Sequence, residues 1–211
     1  LCENDFKIDN LSTSDDTINL QLALKNNSGS IDVGAGGTTL RFLTSYLSIQ
    51  KGKEFILTGT NRLKERPIKE LVEALKMLGA KISYLKKDNF PPLKIKGTQI
   101  LGGEITIDAS ISSQFISSLL LIAPTLANGL ILNISGNLVS KSYIQMTLKL
   151  MEEFGVSHSW KGNKIVVKRQ DYIGKNYTVE ADWSAATFWF QIAALTENCN
   201  IKLNGLYQKS M

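Results

Sequence analysis

Two stretches that repeat each other decide the fold. Residues 31–82, IDVGAGGTTLRFLTSYLSIQKGKEFILTGTNRLKERPIKELVEALKMLGAKI, and residues 107–158, IDASISSQFISSLLLIAPTLANGLILNISGNLVSKSYIQMTLKLMEEFGVSH, run in one register. Asp32 aligns with Asp108, Ile68 with Ile144 and Gly79 with Gly155, each 76 residues apart with no gap, and three anchors at one offset are hard to obtain by chance. Each copy opens with a short strand ending in Asp, followed by small residues and an apolar helix. A second strand comes next (EFILTG, LILNISG), then a polar loop and an amphipathic helix whose apolar residues share one face: Ile68, Leu71, Val72, Leu75 and Leu78, repeated as Ile144, Leu148, Met151 and Phe154. Gly79 and Gly155 stand where C-cap glycines stop a helix. Two further strands close each copy, KISYLKK with PLKIKG and SHSWKG with KIVVKR. The fold class is therefore α/β, built from β-α-β-α-β-β units.

A third copy opens at YTVEADWSAATFWFQIAAL, where Asp182 takes the place of Asp108, and the chain ends inside it at NIKLNGLYQKSM. At the other end, LSTSDDTINLQLALKN reads as a capped second helix with no strand or first helix before it, so residues 1–31 are expected to be the tail of an earlier copy. The chain is expected to be cut at both ends. Trp183, Phe188 and Trp189 fall at helical spacing and read as core.

Composition bounds the function. The 211 residues are 43% hydrophobic, enough for a packed core, and the longest apolar run, Leu119 to Ala123, closes at Pro124, far short of the ~20 residues of a membrane helix. The start, LCENDFKIDN, lacks the basic flank and apolar stretch of a signal peptide. Cys2 and Cys199 make neither a disulfide framework nor a metal cluster, and a reducing cytoplasm fits them. The net charge of +5 is spread along the chain, without the focused basic stripe that nucleic acid requires. His158, the single histidine, aligns with the strand residue Ile82, which favours a half-buried structural role, and GAGG is neither a dinucleotide nor a P-loop fingerprint. No metal or organic cofactor is expected.

The strand-to-helix corners carry the functional signal. Gly36-Gly37-Thr38-Thr39 and Ser112-Ser113-Gln114 each join a strand to a helix N-terminus, where unpaired backbone N–H groups and the positive end of the helix dipole favour an anion. Plain capping would account for either corner taken singly, but equivalent places in a stacked repeat bring both to one end of the domain. The loop NRLKERPI adds Arg62, Lys64 and Arg66 before Pro67, and its counterpart NLVSKSYI adds Ser140, Lys141 and Tyr143. An arginine fork beside a proline suits a carboxylate or phosphate, although KERP alone would also read as a solvated charge run.

Together, GAGGTTLRF, TGTNRLKERPIKELVEALKMLGAKI, NFPPLKIKG, SSQFISSLLLIAP, NLVSKSYIQMTLKLMEEFGV and YTVEADWSAATFWF resemble the 5-enolpyruvylshikimate-3-phosphate synthase (3-phosphoshikimate 1-carboxyvinyltransferase) family over essentially the whole chain. The resemblance implies one lobe of a two-lobed enolpyruvyl transferase, an inside-out α/β barrel, with residues 1–179 as the shikimate-3-phosphate-binding lobe and 180–211 as the start of the second lobe. It implies transfer of the enolpyruvyl group of phosphoenolpyruvate to the 5-hydroxyl of shikimate 3-phosphate, in the cytoplasm, with no cofactor, metal, nucleic acid or membrane. By the same resemblance Ser112, Ser113, Gln114, Ser140 and Tyr143 contact shikimate 3-phosphate, and Gly37, Arg66 and Gln114 contact phosphoenolpyruvate. The family's usual Asn-Ala-Gly-Thr is Ala35-Gly36-Gly37-Thr38 here, and Phe42 and Ser142 stand where prolines are common. The family's N-terminal Lys-Ser…Arg segment would precede Leu1, and its Gln-Gly-Asp, with the proton-transfer aspartate, would follow Met211. No catalytic residue is therefore expected within the chain, which alone is expected to be inactive; the whole enzyme would be monomeric, but in the fragment residues 180–211 would be poorly supported and Trp183, Phe188 and Trp189 would lack their full packing partners, an exposed apolar patch that invites self-association. The alternatives are a UDP-N-acetylglucosamine enolpyruvyl transferase, which would want a reactive cysteine near Arg66, and a non-catalytic ligand-binding lobe.

Overall fold

The computed structural model describes residues 1–2, 4–108, 112–136, 138 and 140–208. Residues 109–111 of the second corner, 137 and 139 of the second polar loop, and 209–211 lie outside the described residues. The chain starts with a two-residue strand, β1 (Ile8–Asp9), and a helix, α1 (Asp15–Lys25). The first complete unit follows as β2 (Gly29–Asp32), α2 (Gly37–Ser48), β3 (Glu54–Thr58), a single turn α3 (Asn61–Lys64), α4 (Lys69–Met77), β4 (Lys81–Tyr84) and β5 (Leu93–Lys96). The second is β6 (Gly103–Asp108), α5 (Ser113–Ile122), a 3-10 turn at Ala123–Thr125, β7 (Leu130–Ser135), α6 (Lys141–Glu153), β8 (Ser159–Lys161) and β9 (Lys164–Val167). A short β10 (Tyr177–Thr178) and α7 (Trp183–Leu195) complete the elements.

Both units build the same four-stranded sheet, ordered β2-β3-β5-β4 and β6-β7-β9-β8, with the first pair parallel and the others antiparallel. The strands alternate: Phe55, Leu57, Leu93 and Ile95 are buried, while Glu54, Lys94 and Lys96 face outward, and Lys94 and Lys96 pair with Glu54. The helices lie against the inner faces and pool with both sheets into one core. Ile68, Leu71, Val72 and Leu75 of the first amphipathic face are at most 1% exposed, each worth ~1.5–3 kcal/mol of burial. α4 and α6 end alike. The Gly79 N–H donates to the Lys76 carbonyl and Ala80 to Leu75, while Gly155 donates to Glu152 and Val156 to Met151. Both glycines have positive φ, the left-handed end of a Schellman motif.

Pairing refines the repeat. Asp32 sits opposite Thr58 but Asp108 opposite Ser135, so the second strands match one residue beyond the 76-residue offset, and the ungapped register is corrected to one containing a compensated slip. The hairpins differ too: Ile82 pairs with Ile95 and Trp160 with Ile165, so Trp160, not His158, is the structural counterpart of Ile82. His158 precedes β8, half-buried, with Glu152 Oε1 3.4 Å from its Nδ1 but outside hydrogen-bond geometry. At the N-terminus a strand does precede α1: β1 pairs in parallel with β10, and Asn4 and Asn10 side chains donate to the Gly174 and Val179 carbonyls. α1 then leads directly into β2, without the closing hairpin of the complete units. In α7 only Ala186 is buried. Trp183, Phe188 and Trp189 are 43%, 69% and 52% exposed, as expected of core-type aromatics without their full packing partners, because no described element covers that helix face. Residues 196–208 form no strand.

Candidate functional site

The helices of each unit begin at the carboxyl ends of its two parallel strands, the edge at which open α/β sheets bind ligands. Four of those N-termini lack a side-chain cap among the described residues: α2 behind Gly36, α4 behind Ile68, α5 behind Ser112 and α6 behind Ser140. Side-chain caps do occur at two other helices. Thr60 Oγ1 accepts from the Leu63 N–H at the start of α3, and Asp182 Oδ1 accepts from Ser184 at the start of α7. Ser112 is extended, with φ −168° and ψ 122°, and its hydroxyl, like that of Ser113, makes no hydrogen bond among the described residues. The serines thus leave both the hydroxyls and the helix-end N–H groups for something else.

The two corners meet. Gln114 Nε2 donates to Thr38 Oγ1 at 3.2 Å, and these two residues are 76 apart, so they are equivalent in the repeat. Equivalent residues touch only close to the axis that relates the units, which therefore runs between the N-termini of α2 and α5. Below this contact a buried hydroxyl ladder ties the helices together. Ser118 Oγ donates to the Arg41 carbonyl at 2.8 Å and lies 2.5 Å from Ser45 Oγ, while Thr147 Oγ1 on α6 is hydrogen-bonded to Ser117 Oγ at 2.8 Å. Ser45, Ser117 and Ser118 are at most 3% exposed, and mutual hydrogen bonding is what makes their burial tolerable.

Arg66 lies on Gly37. A Cβ built on Gly37 would come within 2.5 Å of Arg66 Nη1, so the guanidinium rests where any side chain would stand. Gly36 is equally confined, its would-be Cβ 2.6 Å from Asp16 Oδ1 and 3.0 Å from the Val33 carbonyl. Arg62, Arg66, Thr60, Leu63 and Ala35 line a cavity of about 470 Å³, within the range of small-molecule pockets. Arg41, one turn into α2, donates to Gln114 Oε1 and lies 5.4 Å from the Phe115 ring centroid. Burial, and secondarily the neighbouring Arg66 charge, hold its guanidinium below the ordinary pKa. No carboxylate pairs with Arg41, Arg62 or Arg66 among the described residues. Uncapped helix ends and three guanidiniums without a carboxylate partner among the described residues make an edge suited to anionic ligands.

Of the residues expected from the sequence, the structure joins Gly37 with Arg66 and links Gln114 to the first corner. Ser112 and Ser113 open the same helix as Gln114. Ser140 and Tyr143 stand on the first turn of α6, tied to α5 through Thr147, whose hydroxyl donates to the Tyr143 carbonyl, and they make no direct bond to the other site residues among those described. Arg41 was not singled out from the sequence, although its place one turn after Gly37 puts it on the corner's own face. No cluster of metal-binding side chains occurs among the described residues, and no helix there is long and apolar enough to cross a membrane.

Comparison with known proteins follows the geometry. Residues 6–211 match the family model for EPSP synthase (3-phosphoshikimate 1-carboxyvinyltransferase). A 3-phosphoshikimate 1-carboxyvinyltransferase from Bacteroides fragilis (strain YCH46) is 48% identical over 100% of this chain and 51% of its own, and one from Aliivibrio salmonicida is 42% identical over 98% and 49%. The solved EPSP synthase from Acinetobacter baumannii superposes on 93% of this chain and 49% of its own with a TM-score of 0.78 at 23% identity, a likeness of fold. The chain spans about half the length of the curated relatives it matches. A repeated α/β architecture, an edge suited to anions and a family match over nearly every residue agree: this chain belongs to the EPSP synthase family.

Proposed function

We propose that the chain is the shikimate-3-phosphate-binding lobe of an enzyme that transfers the enolpyruvyl group of phosphoenolpyruvate to the 5-hydroxyl of shikimate 3-phosphate, releasing phosphate. The observation that carries the reading is the meeting of the two repeat corners, with Arg66 laid on Gly37 and Gln114 bonded to Thr38. Both substrates are phosphorylated anions, and neither corner spends a side chain on capping its own helix. In this reading Ser112, Ser113 and Gln114 hold shikimate 3-phosphate with Ser140 and Tyr143, while Gly37, Arg66 and Gln114 hold phosphoenolpyruvate. Protonation of the methylene carbon and attack of the hydroxyl, which gives up its proton, would give a tetrahedral ketal, and loss of phosphate together with a proton from the new methyl group would restore the enol ether. Residues 1–179 form the lobe and 180–211 begin the return to a second lobe. The groups that move protons belong to family segments without counterparts here, so the chain alone binds without turnover. Phosphorylated substrates do not cross membranes, which supports a cytoplasmic place for the reaction. The UDP-N-acetylglucosamine enolpyruvyl transferase alternative is not favoured, since Cys2 and Cys199 both lie far along the chain from Arg66.

Titration of the chain with shikimate 3-phosphate, alone and with phosphoenolpyruvate, tests this by amide shifts at Ser112 to Gln114 and at Arg66. Saturable shifts that the double substitution Ser113→Ala, Gln114→Ala abolishes are expected. No shift up to millimolar ligand would reject a half-site in this lobe.

A further inference from the structure

Gln114 has two ends, and what each can do depends on which way its amide points. The carbonyl Oε1 only accepts and the Nε2 group only donates. On one side of this amide stands Arg41, whose guanidinium has five donors and no acceptor; on the other stands Thr38 Oγ1, which can do either. Rotating the amide by half a turn would set Nε2 against Arg41, donor against donor, in a place where Arg41 is half-buried and water does not readily compensate. Arg41 itself has little freedom: its guanidinium lies over Phe115, which is 2% exposed, and the carbonyl of the same residue accepts from the buried Ser118 hydroxyl.

From this geometry we infer that Arg41 is a positioning residue that locks the Gln114 amide with Nε2 toward the corner, leaving one N–H beyond the Thr38 bond for an anion. The inference deepens the proposed function, since it concerns the same site. Thr38 alone cannot set the orientation, because a hydroxyl accommodates either end of an amide. Arg41 acts through Gln114 and need not touch the anion. Its unpaired charge, near Arg66, favours the anion as well, and the two effects are told apart by the readout, since loss of charge alone weakens the anion whereas loss of orientation also moves the Gln114 side-chain resonances.

The test compares Arg41→Lys with Arg41→Met in the 211-residue chain. Lysine keeps an obligate donor; methionine keeps length and apolar contact with Phe115 but donates nothing. The readouts are the Gln114 side-chain NH2 resonances without ligand and the affinity for inorganic phosphate. In the wild type and Arg41→Lys these resonances are expected to be dispersed, with a single amide orientation. In Arg41→Met they should collapse toward free-amide values, with phosphate binding weaker by about tenfold, the worth of one charge-assisted hydrogen bond. A residue that only filled space would be served as well by Met as by Lys, so identical Gln114 resonances in the two variants would overturn the inference. Should Arg41→Met not fold, nuclear Overhauser contacts between the Arg41 guanidinium protons and the Gln114 side chain in the wild type decide, their absence counting against it. Absence of any wild-type response to phosphate, with Gln114 still ordered by Arg41, would reject the ligand-binding reading while upholding the positioning role.

Discussion

At the scale of single residues, the contact of Arg66 with Gly37 makes the sharpest demand. Alanine at position 37 is compatible with the backbone there, since the residue opens α2 outside the left-handed region, and helix propensity favours it by up to ~1 kcal/mol. Its Cβ would nevertheless stand 2.5 Å from Arg66 Nη1, and the guanidinium would have to leave. Gly37→Ala is therefore expected to keep or raise thermal stability while weakening phosphoenolpyruvate-dependent shifts at Arg66 by tenfold or more, the cost of one displaced charge-assisted contact. Unchanged affinity would mean that Arg66 does not hold the ligand from its present place. Gly37, Arg66 and Gln114 were legible in the sequence because glycine at a helix start, arginine beside proline and a polar residue at a greasy helix mouth are locally anomalous. Arg41 was not, since an arginine on a helix is unremarkable until the second unit brings Gln114 and Phe115 against it. Its repeat counterpart is Ser117, so symmetry gave no hint either.

At the scale of elements, the repeat invites a comparison that chemistry alone does not settle. Gly79 and Gly155 end equivalent helices with the same two hydrogen bonds and with φ of +107° and +83°, so an alanine at either meets the same backbone penalty of ~1–2 kcal/mol. Their surroundings differ. A Cβ at Gly79 would meet nothing within 4 Å, whereas one at Gly155 would lie 2.9 Å from Ile173 Cδ1. Urea unfolding should show Gly79→Ala destabilised by ~1–2 kcal/mol with an unchanged m value, and Gly155→Ala by distinctly more; equal losses would mean that Ile173 moves freely. Such helix ends, with their strands and buried faces, could be read from the sequence because each depends on local pattern. The slip between Asp32–Thr58 and Asp108–Ser135 could not, because an insertion cancelled by a later deletion leaves the flanking anchors in phase and only strand pairing exposes it. β1 was missed for a related reason: two residues show no alternation, and its partner lies at the far end of the chain.

At the scale of the whole molecule, the balance of burial is uneven. The two complete units close their cores on each other, but α7 buries only Ala186 and leaves Phe188, Trp189, Phe190, Ile192 and Leu195 between 49% and 81% exposed. The helical spacing in WSAATFWFQIAAL marks core-type aromatics, and their exposure is expected once the resemblance places their packing partners in a second lobe, since a periodic apolar face reports what a helix needs rather than what covers it. The same consideration has a consequence in solution. An apolar surface of this kind is unfavourable in water, and association between copies is one means of burying it. Sedimentation velocity is expected to show a mass that rises with concentration, and Phe188→Lys combined with Leu195→Lys, at the two most exposed of these positions, should shift the chain toward monomer. Neither side chain is part of the buried core, so the main unfolding transition should stay where it is in the double variant. A wild-type chain that remains monomeric across a wide concentration range would show that α7 folds back on its own tail, an arrangement for which the Trp183 Nε1 bond to the Tyr207 carbonyl is the starting point. In that event the double substitution should instead lower stability, and the two measurements together distinguish a surface awaiting a partner from one that the chain covers by itself.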